Sequence, residues 1–248
     1  MIDFKEIDLL EYEVNQGLHK EIKKAKDMLY IATKDKKNIS LSFSGGKDSL
    51  ASLLLLLEID IKPVVVWFNS GYEFPETKEF IYNIVSKYDL NIREIEPTID
   101  PLKAKIEVGF FDLDKIYKVN KKILKVWWQT NKEYELVITG IRVSESQPRK
   151  RTIGKNGIYF YNKSYSAYCC YPVAYFQNKE VFAYITSCNE DYHPIYYKAS
   201  DIKDRESIRV NWYILSFAEP KYYVFLKRHY PEVFNFLASH VTEVKQYV

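Results

Sequence analysis

Three distinct segments follow one another at residues 38–58. They are a run of alternating polar and apolar residues, a cluster of small and charged residues, and a leucine-rich run. The first run, residues 38–43, alternates polar and apolar side chains and predicts a β-strand. The last run, residues 49–58, is too rich in leucine for a favoured strand and predicts a buried helix. The segment between them reads SGGKDS (residues 44–49, the glycine loop), so the sequence predicts a glycine turn leading from a strand end into a helix.

The glycine loop has two interpretations, a capped turn or a cradle for phosphate. The start of a helix holds anions through its N–H groups and dipole, and glycines let the backbone approach a ligand closely. Lys47 would neutralise phosphate, Ser44 and Ser49 would donate hydrogen bonds, and Asp48 would cap the helix or hold a metal ion. The segment differs from the G-x-x-x-x-G-K-[ST] loop, because its glycines are adjacent and Asp48 follows the lysine. With only 8 glycines in 248 residues, an adjacent pair is informative.

The rest of the chain alternates predicted strands and helices. Strands are predicted at residues 63–68, 91–96 and 136–141, and helices at residues 18–33, 76–88, 101–133, 180–187 and 222–244. This alternation predicts an α/β fold, a doubly wound, mostly parallel sheet with helices on both faces. Such sheets bind ligands beyond the carboxyl ends of their strands, where the strand order reverses. We expect residues 1–200 to form this nucleotide-binding domain and residues 201–248 a helical extension packed on it.

Two further strand ends carry polar residues. Residues 69–77 read NSGYEFPET and residues 140–149 read GIRVSESQPR. Arg142 and Arg149 offer rigid forks suited to phosphate or sulfate. Glu145 would orient an arginine or cap the turn, and Ser146 would donate to an oxyanion. The alternatives are a Pro-Glu helix start for the first segment and ordinary surface charge for the second.

These three segments resemble one known family in their order. Residues 42–49 resemble the phosphate loop of the PP-loop (adenine nucleotide alpha hydrolase-like) superfamily. Residues 69–77 resemble the D-T-G-x-x-F-P-E-T segment of its phosphoadenosine phosphosulfate (PAPS) reductase-like branch, with Asn69 in place of the aspartate and Ser70 in place of the threonine. Residues 140–149 resemble that branch's G-x-R-x-x-E-S-x-x-R segment with each fixed position kept.

The resemblance implies an adenine nucleotide, ATP or PAPS or adenylyl sulfate (APS), bound with Mg²⁺ and cleaved at its α-phosphate where ATP is used. It also implies that the strand around residues 66–68 packs against adenine. Lys47, Asp48, Arg142 and Arg149 are the predicted catalytic residues, and Asp48 is the predicted metal ligand. The predicted nucleotide-binding residues are Ser42, Ser44, Gly45, Gly46, Lys47, Asp48, Ser49, Trp67, Phe68, Gly71, Gly140, Arg142, Glu145, Ser146 and Arg149.

Cysteines depart from the family pattern. PAPS reductases use a thiol in a short Cys-Gly-x-x-His segment near the C-terminus, and this sequence has no cysteine after Cys188. Iron–sulfur clusters usually need four thiolates, and the sequence holds three cysteines, so we expect no cluster. Cys169 and Cys170 would point to opposite faces of a strand, as buried hydrophobic residues or, for one of them, as a sulfur carrier.

Partners and location follow from charge and hydropathy. Residues 146–179 contain no Asp or Glu and six Lys or Arg, which indicates a solvated basic loop or an anion site. No apolar run reaches the ~20 residues of a membrane span and no signal pattern opens the chain, so we expect a cytoplasmic protein without membrane contact. His193 is expected in a loop rather than as a catalyst. The aromatic-rich C-terminal part is compatible with a homodimer.

Three functional hypotheses remain open. The first is an ATP-cleaving enzyme that releases pyrophosphate and adenylates an unknown acceptor. The second is a PAPS or APS reductase or sulfotransferase that takes its thiol from a partner protein. The third is a non-catalytic nucleotide-binding subunit of a nucleic-acid-modifying complex.

Overall fold

One mixed sheet organises the chain. The computed structural model describes residues 4–109, 113–199, 205, 208–212, 220–241, 244 and 246. The described residues include a six-stranded sheet with strands β1 (Ile39–Ser42), β2 (Val64–Phe68), β3 (Ile92–Ile95), β4 (Leu136–Thr139), β5 (Tyr159–Asn162) and β6 (Ala167–Cys170). Their spatial order is β3-β2-β1-β4-β6-β5. Neighbours are parallel except β5 and β6, which are antiparallel.

Helices precede, connect and follow the strands. They are α1 (Phe4–Val14), α2 (Gln16–Thr33), α3 (Lys47–Leu57), α4 (Pro75–Lys87), α5 (Pro101–Val108), α6 (Leu113–Ile123), α7 (Lys125–Asn131), α8 (Gln147–Asn156), α9 (Asn178–Ser187), α10 (Ile195–Lys198), α11 (Pro220–His229) and α12 (Pro231–His240). A 3-10 turn, Val143–Glu145, lies between β4 and α8.

The strand order reverses at β1. Strands β1, β2 and β3 follow one another outward, and β4 then returns to the other side of β1. In register, Ser42 at the end of β1 lies beside Val66 on one side and Thr139 on the other. The carboxyl ends of β1 and β4 therefore flank a topological switch point. The predicted doubly wound, mostly parallel sheet with helices is confirmed.

Alternate residues of each strand enter different core clusters, so both faces of the sheet are covered. Val65 and Trp67 belong to one cluster, together with residues of α2, α3, α9, α11 and α12, whereas Val66 belongs to the other. Likewise, Cys170 belongs to the first cluster and Cys169 to the second. This alternation follows from the two-residue period of a strand, and it matches the expected opposite orientation of the adjacent cysteines.

The basic stretch at residues 146–179 is more regular than a loop. It contains α8 and the β5–β6 hairpin. The Ser146 side chain accepts a hydrogen bond from the Arg149 N–H and so caps α8, and Gly157 ends the helix with a φ of 77°. Short polar helices of this kind lack an apolar period, which is why the sequence pattern did not reveal α8.

The C-terminal helices pack on the same core as the sheet. Phe225 and Leu226 of α11 and Phe234 and Leu237 of α12 are buried in the first cluster. The proposed division of the chain at residue 200 stays a prediction. Within the part of the chain that the structure describes, no helix is both long and apolar enough to cross a bilayer.

Gly140, which follows β4, packs closely against the start of α3. A Cβ on Gly140 would lie 2.5 Å from the Asp48 carbonyl group and 2.7 Å from the Ser49 nitrogen. Backbone atoms cannot yield as a flexible side chain can. We therefore expect Gly140→Ala to lower the free energy of unfolding by about 1–3 kcal/mol or more, measured by urea denaturation.

Gly154→Ala is the matched control. Gly154 lies inside α8, and no described heavy atom comes within 4 Å of its would-be Cβ. Replacing an unencumbered helical glycine by alanine stabilises by roughly 0.5–1 kcal/mol. Equal effects of the two substitutions would contradict the close packing at Gly140.

Candidate functional site

A cavity of about 810 Å³ opens at the switch point between β1 and β4. Its size is within the range of roughly 300–1,000 Å³ that is typical of small-molecule sites. Eleven of the predicted site residues line it, namely Ser42, Ser44, Gly46, Lys47, Asp48, Ser49, Trp67, Phe68, Gly140, Glu145 and Arg149. Gly45, Gly71, Arg142 and Ser146 are absent from the lining.

The glycine loop leads from β1 into α3 as predicted. Gly45 has a φ of +76°, and a Cβ there would lie 3.2 Å from the Ile81 side chain. Gly46 is the N-cap of α3, and no described side chain caps it. A helix start without a capping side chain is suited to an anion. Two N–H groups of this turn already have weak partners, because the Gly46 N–H donates to Ser44 Oγ at 3.3 Å and the Lys47 N–H donates to the Tyr196 hydroxyl at 3.2 Å.

Beneath the loop, Asp48 is shared between two buried cations. Its Oδ2 lies 2.7 Å from Lys47 Nζ and its Oδ1 lies 2.6 Å from Arg142 Nε. Arg142 also donates to the Ser144 hydroxyl at 3.2 Å, to the Phe176 carbonyl at 3.3 Å and to the side chain of Asn178. Arg142 is therefore a fixed internal cation rather than an arm that reaches into the cavity.

Opposing effects act on the pKa of Lys47. Burial lowers the pKa of Lys47, the Asp48 carboxylate raises it, and Arg142 and Arg209 lower it further. One carboxylate thus serves two cations at this point, which leaves an excess of one positive charge beside the glycine loop. Excess positive charge away from water favours binding of an anion.

Both oxygens of Asp48 lie within ion-pair distance of these cations, although Oδ1 accepts no hydrogen bond from a described residue. Among the described residues no three His, Cys, Asp or Glu side chains converge as a metal site would need. The residues as placed do not form a ready magnesium site, and Asp48 as a metal ligand stays a prediction that requires one ion pair to open. Magnesium in nucleotide sites is often held largely by phosphates and water.

Glu145 organises a second cationic group. Its carboxylate accepts from the side chain of Arg149, from Arg209 Nη1 at 3.1 Å and from the Arg142 N–H at 3.0 Å. Arg149 and Arg209 both line the cavity. Burial, followed by the charge of Arg209, lowers the pKa of Arg149. Here too one carboxylate is bonded to two arginines.

The other end of the cavity is apolar. Val66, Phe68, Trp127 and Ile141 line it and belong to, or pack against, the second core cluster. The Trp67 side chain instead packs in the first cluster, with its ring edge-on to Tyr82 at 6.3 Å. Because neighbouring strand residues face opposite sides, Phe68 rather than Trp67 presents its ring to this end.

The segment at residues 69–77 mainly supports a wall of the cavity. That wall, here called the C-terminal wall, consists of residues 208–211, Lys221 and Tyr222. Glu73 accepts from Asn211 Nδ2 at 2.8 Å, and the Thr77 hydroxyl donates to the Val210 carbonyl at 3.0 Å. Gly71 has a φ of +81° and shapes the turn before these contacts.

Sequence reasoning missed the C-terminal wall, Trp127 and Tyr196. None of them lies in one of the three motifs, and tertiary packing alone brings them to the cavity.

His193 helps to hold the C-terminal wall in place through a hydrogen bond to Thr77. It is fully buried, its Nδ1 accepts from the Ile195 N–H at 3.1 Å, and its Nε2 lies 3.0 Å from the Thr77 hydroxyl. Since Nδ1 accepts, Nε2 carries the proton and donates to Thr77, which in turn donates to Val210. Burial lowers the pKa of His193 to about 4.

The three cysteines do not line the cavity. Cys169 and Cys170 are buried on opposite faces of the sheet, and Cys188 follows α9. Burial raises the pKa of Cys169 and Cys170 to about 12 and that of Cys188 to about 11. These thiols are therefore protonated at neutral pH and are weak nucleophiles.

The fold and a switch-point cavity with a cationic glycine loop define a nucleotide-site architecture of the α/β class. The chain matches the phosphoadenosine phosphosulfate reductase domain over residues 38–237, and it belongs to that family.

Two relatives show how far the similarity extends. The chain is 25% identical to the phosphoadenosine 5'-phosphosulfate reductase of Xanthomonas euvesicatoria, over 78% of each chain. It is 26% identical to an uncharacterized protein of Methanocaldococcus jannaschii, over 79% of this chain and 46% of that protein. The chain thus spans about half the length of this second relative.

Solved structures share the fold at low identity. The phosphoadenylyl-sulfate reductase of Candida auris aligns with a TM-score of 0.52 and 17% identity, over 73% of this chain and 90% of that chain. The FMN adenylyltransferase of Candida glabrata in complex with FAD and inorganic pyrophosphate gives 0.51 and 16%, over 78% and 67%. The U34-tRNA thiolase NcsA of Methanococcus maripaludis with its [4Fe-4S] cluster gives 0.51 and 17%, over 92% and 80%.

The last of these structures corrects one expectation. The absence of an iron–sulfur cluster was inferred from the cysteine count, and that inference is wrong, because a protein of the same fold carries a [4Fe-4S] cluster. A count of cysteines is a poor guide for a physical reason, since other side chains such as histidine replace thiolates in some clusters.

The buried His193 predicts a stability that depends on pH. The unfolded state binds a proton near the ordinary pKa of 6.5, whereas the folded state does so only near 4. The His193 contribution is therefore present above pH 6.5 and is lost as the pH falls towards 4, with a total on the order of 3 kcal/mol. Urea denaturation at pH 7.5, 5.5 and 4.5 measures it.

His193→Gln separates this residue from other titrating groups. The variant should show a smaller loss of unfolding free energy between pH 6.5 and 4 than the unsubstituted protein. In an NMR titration the His193 ring should stay neutral down to about pH 4. A His193 ring that titrates near pH 6.5 in the folded protein would refute the neutral, buried assignment.

Proposed function

We propose that this protein is an enzyme that binds an adenine nucleotide in the switch-point cavity and acts at its α-phosphate. The observation that carries this proposal is the placement of Lys47, at the start of α3 and paired with Asp48, in one cavity that is lined by both apolar residues and arginines. Membership of the PAPS reductase family supports a nucleotide as the ligand.

The apolar end is suited to the adenine ring. Val66, Phe68, Trp127 and Ile141 offer a surface on which a base can stack. Ser42 lies between this end and the glycine loop, and its buried hydroxyl has no partner among the described residues. Buried hydroxyls are rarely left unpaired, so the Ser42 hydroxyl is a candidate donor to the nucleotide.

In the proposed reaction an oxygen of the acceptor attacks the α-phosphorus of ATP. The bond from that phosphorus to the bridging oxygen breaks, pyrophosphate leaves with the electron pair, and the acceptor proton passes to solvent. Lys47 and the glycine-loop amides stabilise charge on the phosphates as it develops. The FMN adenylyltransferase of the same fold, seen with FAD and pyrophosphate, supports this type of transfer.

PAPS or APS reduction is the second candidate, favoured by the relatives named as PAPS reductases. There an external dithiol attacks the sulfur of PAPS, the nucleotide leaves as adenosine 3',5'-bisphosphate, and the second thiol releases sulfite as a disulfide forms. The dithiol comes from a partner protein in this proposal, because the described cysteines lie away from the cavity with raised pKa values.

Product analysis tests the two reactions. The protein is incubated with ATP and, separately, with PAPS and a dithiol protein, and pyrophosphate and sulfite are measured. Pyrophosphate release supports the first reaction and sulfite release the second. Tight nucleotide binding without either product would instead favour a non-catalytic subunit, such as one of a nucleic-acid-modifying complex.

Lys47→Met tests the site itself. The substitution keeps the apolar stem and leaves Asp48 paired with Arg142, so we expect a folded protein. Nucleotide affinity should fall at least tenfold by calorimetry, because a buried charge-assisted contact is worth about 1.5–3 kcal/mol. Lys37→Met is the control, since Lys37 is exposed just before the opposite end of β1. Unchanged binding in Lys47→Met would refute the proposed site.

Ser42→Ala and Ser40→Ala form a matched pair. Both hydroxyls are buried on the same face of β1 without partners among the described residues, but only Ser42 lines the cavity. We expect neither substitution to destabilise the protein. Ser42→Ala should weaken nucleotide binding about three- to tenfold, whereas Ser40→Ala should not. Equal affinities in both variants would show that Ser42 makes no contact with the ligand.

A further inference from the structure

Positive charge is concentrated in two segments of the chain. Residues 113–132 and 146–179 contain twelve Lys or Arg and one Asp, whereas the remaining 194 residues contain 24 Lys or Arg and 32 Asp or Glu. The net charge of +3 therefore conceals a strongly basic part and an acidic remainder. Such asymmetry is typical of a protein with a polyanionic partner.

The first segment forms α6 and α7 and carries lysines on one helical face. Val119 and Ile123 of α6 are buried, and the 3.6-residue period of a helix puts the lysines on the other side. The exposed lysines of α6, with the first residue of α7, are Lys118, Lys121, Lys122 and Lys125.

The second segment adds a further group of cations on α8 and in the β5–β6 turn. Its exposed members are Lys150, Arg151, Lys155 and Lys163. None of these eight side chains forms an ion pair with a described carboxylate. Their charge is therefore available to neutralise a partner such as a row of phosphates.

The two groups lie on the same side of the sheet. Trp127 of α7 packs edge-on against Tyr165 of the β5–β6 turn, with ring centroids 5.5 Å apart. Both rings pack against the second core cluster, to which Ile153 of α8 belongs. Trp127 and Arg149 of α8 also line the switch-point cavity. The eight cations, here called the basic face, are therefore carried by elements that border this cavity.

Exposed tyrosines are interleaved with the basic face. The exposed fractions are 63% for Tyr117, 52% for Tyr161 and 56% for Tyr175. Lys121 Nζ lies 4.6 Å from the centroid of the Tyr117 ring, and Tyr175 and Lys150 together line a second cavity of about 510 Å³. Bases stack on such rings while neighbouring cations bind the phosphates. An acidic peptide would pair with the cations but has no bases to offer to the rings.

We propose that the basic face binds a single-stranded nucleic acid, whose phosphates contact the cations and whose bases stack on the exposed tyrosines. A single strand is favoured over a duplex, because its bases are free to stack on side chains. A strand bound there passes beside the switch-point cavity. This inference goes beyond the proposed function and does not depend on it.

Fluorescence anisotropy with labelled oligonucleotides tests this surface. The probes are single-stranded RNA and DNA of about 20 nucleotides, the matching DNA duplex, and polyglutamate of similar charge. Affinity for the single strands should fall between about 50 and 200 mM salt, with a log–log slope of about −0.7 for each phosphate contacted. The two single strands show whether the sugar matters.

Two double variants remove charge from different parts of the basic face. Lys118→Gln with Lys122→Gln changes α6, and Lys150→Gln with Lys155→Gln changes α8. Each pair should weaken single-strand binding about tenfold near 0.15 M salt and reduce the size of the slope by about 1.4.

Lys20→Gln with Lys23→Gln is the matched control. Both lysines are exposed on α2, which packs on the first core cluster at the other face of the sheet. The control makes the same change of charge and should leave strand binding unaltered. An equal loss in all three double variants would overturn the basic face as the docking surface.

Tyr175→Ala tests stacking separately from charge. It should weaken single-strand binding about fivefold or more without changing the salt slope. Tyr30→Ala, at an exposed tyrosine of α2, is its control and should have no effect. A Tyr175→Ala variant that binds as the unsubstituted protein does would overturn the stacking contact at this tyrosine.

The remaining outcomes concern the identity of the partner. Failure of the unsubstituted protein to bind either single strand at the lowest salt would overturn the inference. Tighter binding of the duplex would overturn the single strand, and equal affinity for polyglutamate would indicate an acidic protein instead. None of the substituted residues lines the switch-point cavity, so ATP affinity should be unchanged in every variant. Failure of the docking surface would therefore leave the nucleotide site standing, and the reverse also holds.

Discussion

The buried carboxylate of Asp48 joins the two strand ends on which the site is built. Lys47 opens α3 directly after β1, Arg142 follows β4, and Asp48 pairs with both. Buried charges are tolerated only when they are paired, so loss of this carboxylate would leave two cations facing each other away from water. The Asp48 carboxylate also raises the pKa of Lys47 beside the glycine loop, against the lowering by burial. The packing of the two strand ends and the charge at the loop therefore depend on one shared carboxylate.

A second set of contacts ties the C-terminal part of the chain to the sheet. His193 donates to Thr77, Thr77 donates to Val210, and Asn211 donates to Glu73. All of these bonds hold the C-terminal wall against α4 and the turn before it. The segment at residues 69–77 consequently acts on the site through the wall. The resemblance of this segment to a family motif is therefore explained by its role in positioning the C-terminal wall, as well as by any direct contact with a ligand.

What the sequence could predict depended on how local each signal was. A strand, two glycines and a leucine-rich helix within residues 38–58 are a local pattern, and the structure has all three parts. Trp67 and Phe68 were both predicted to bind nucleotide, although the two-residue period of a strand puts them on opposite faces of the sheet. Tyr222 and Arg209 were not readable, since their place in the cavity is set by long-range packing. The expectation that no iron–sulfur cluster is bound failed for a different reason. The number of cysteines does not define which side chains can act as cluster ligands.

The positions of the cysteines bear on which molecule supplies the attacking thiol in the proposed reduction. No described cysteine lines the cavity, and burial raises the pKa of all three thiols. The cavity instead presents cations, hydroxyl donors and amides, which bind and stabilise anions, and its carboxylates, those of Asp48, Glu73 and Glu145, are already bonded to neighbouring residues. Either proposed reaction therefore needs its attacking atom from another molecule, the acceptor oxygen in one case and an external thiol in the other. In either proposed reaction, the role of this chain is to hold the nucleotide so that its α-phosphate, or the sulfate attached to it, meets that atom.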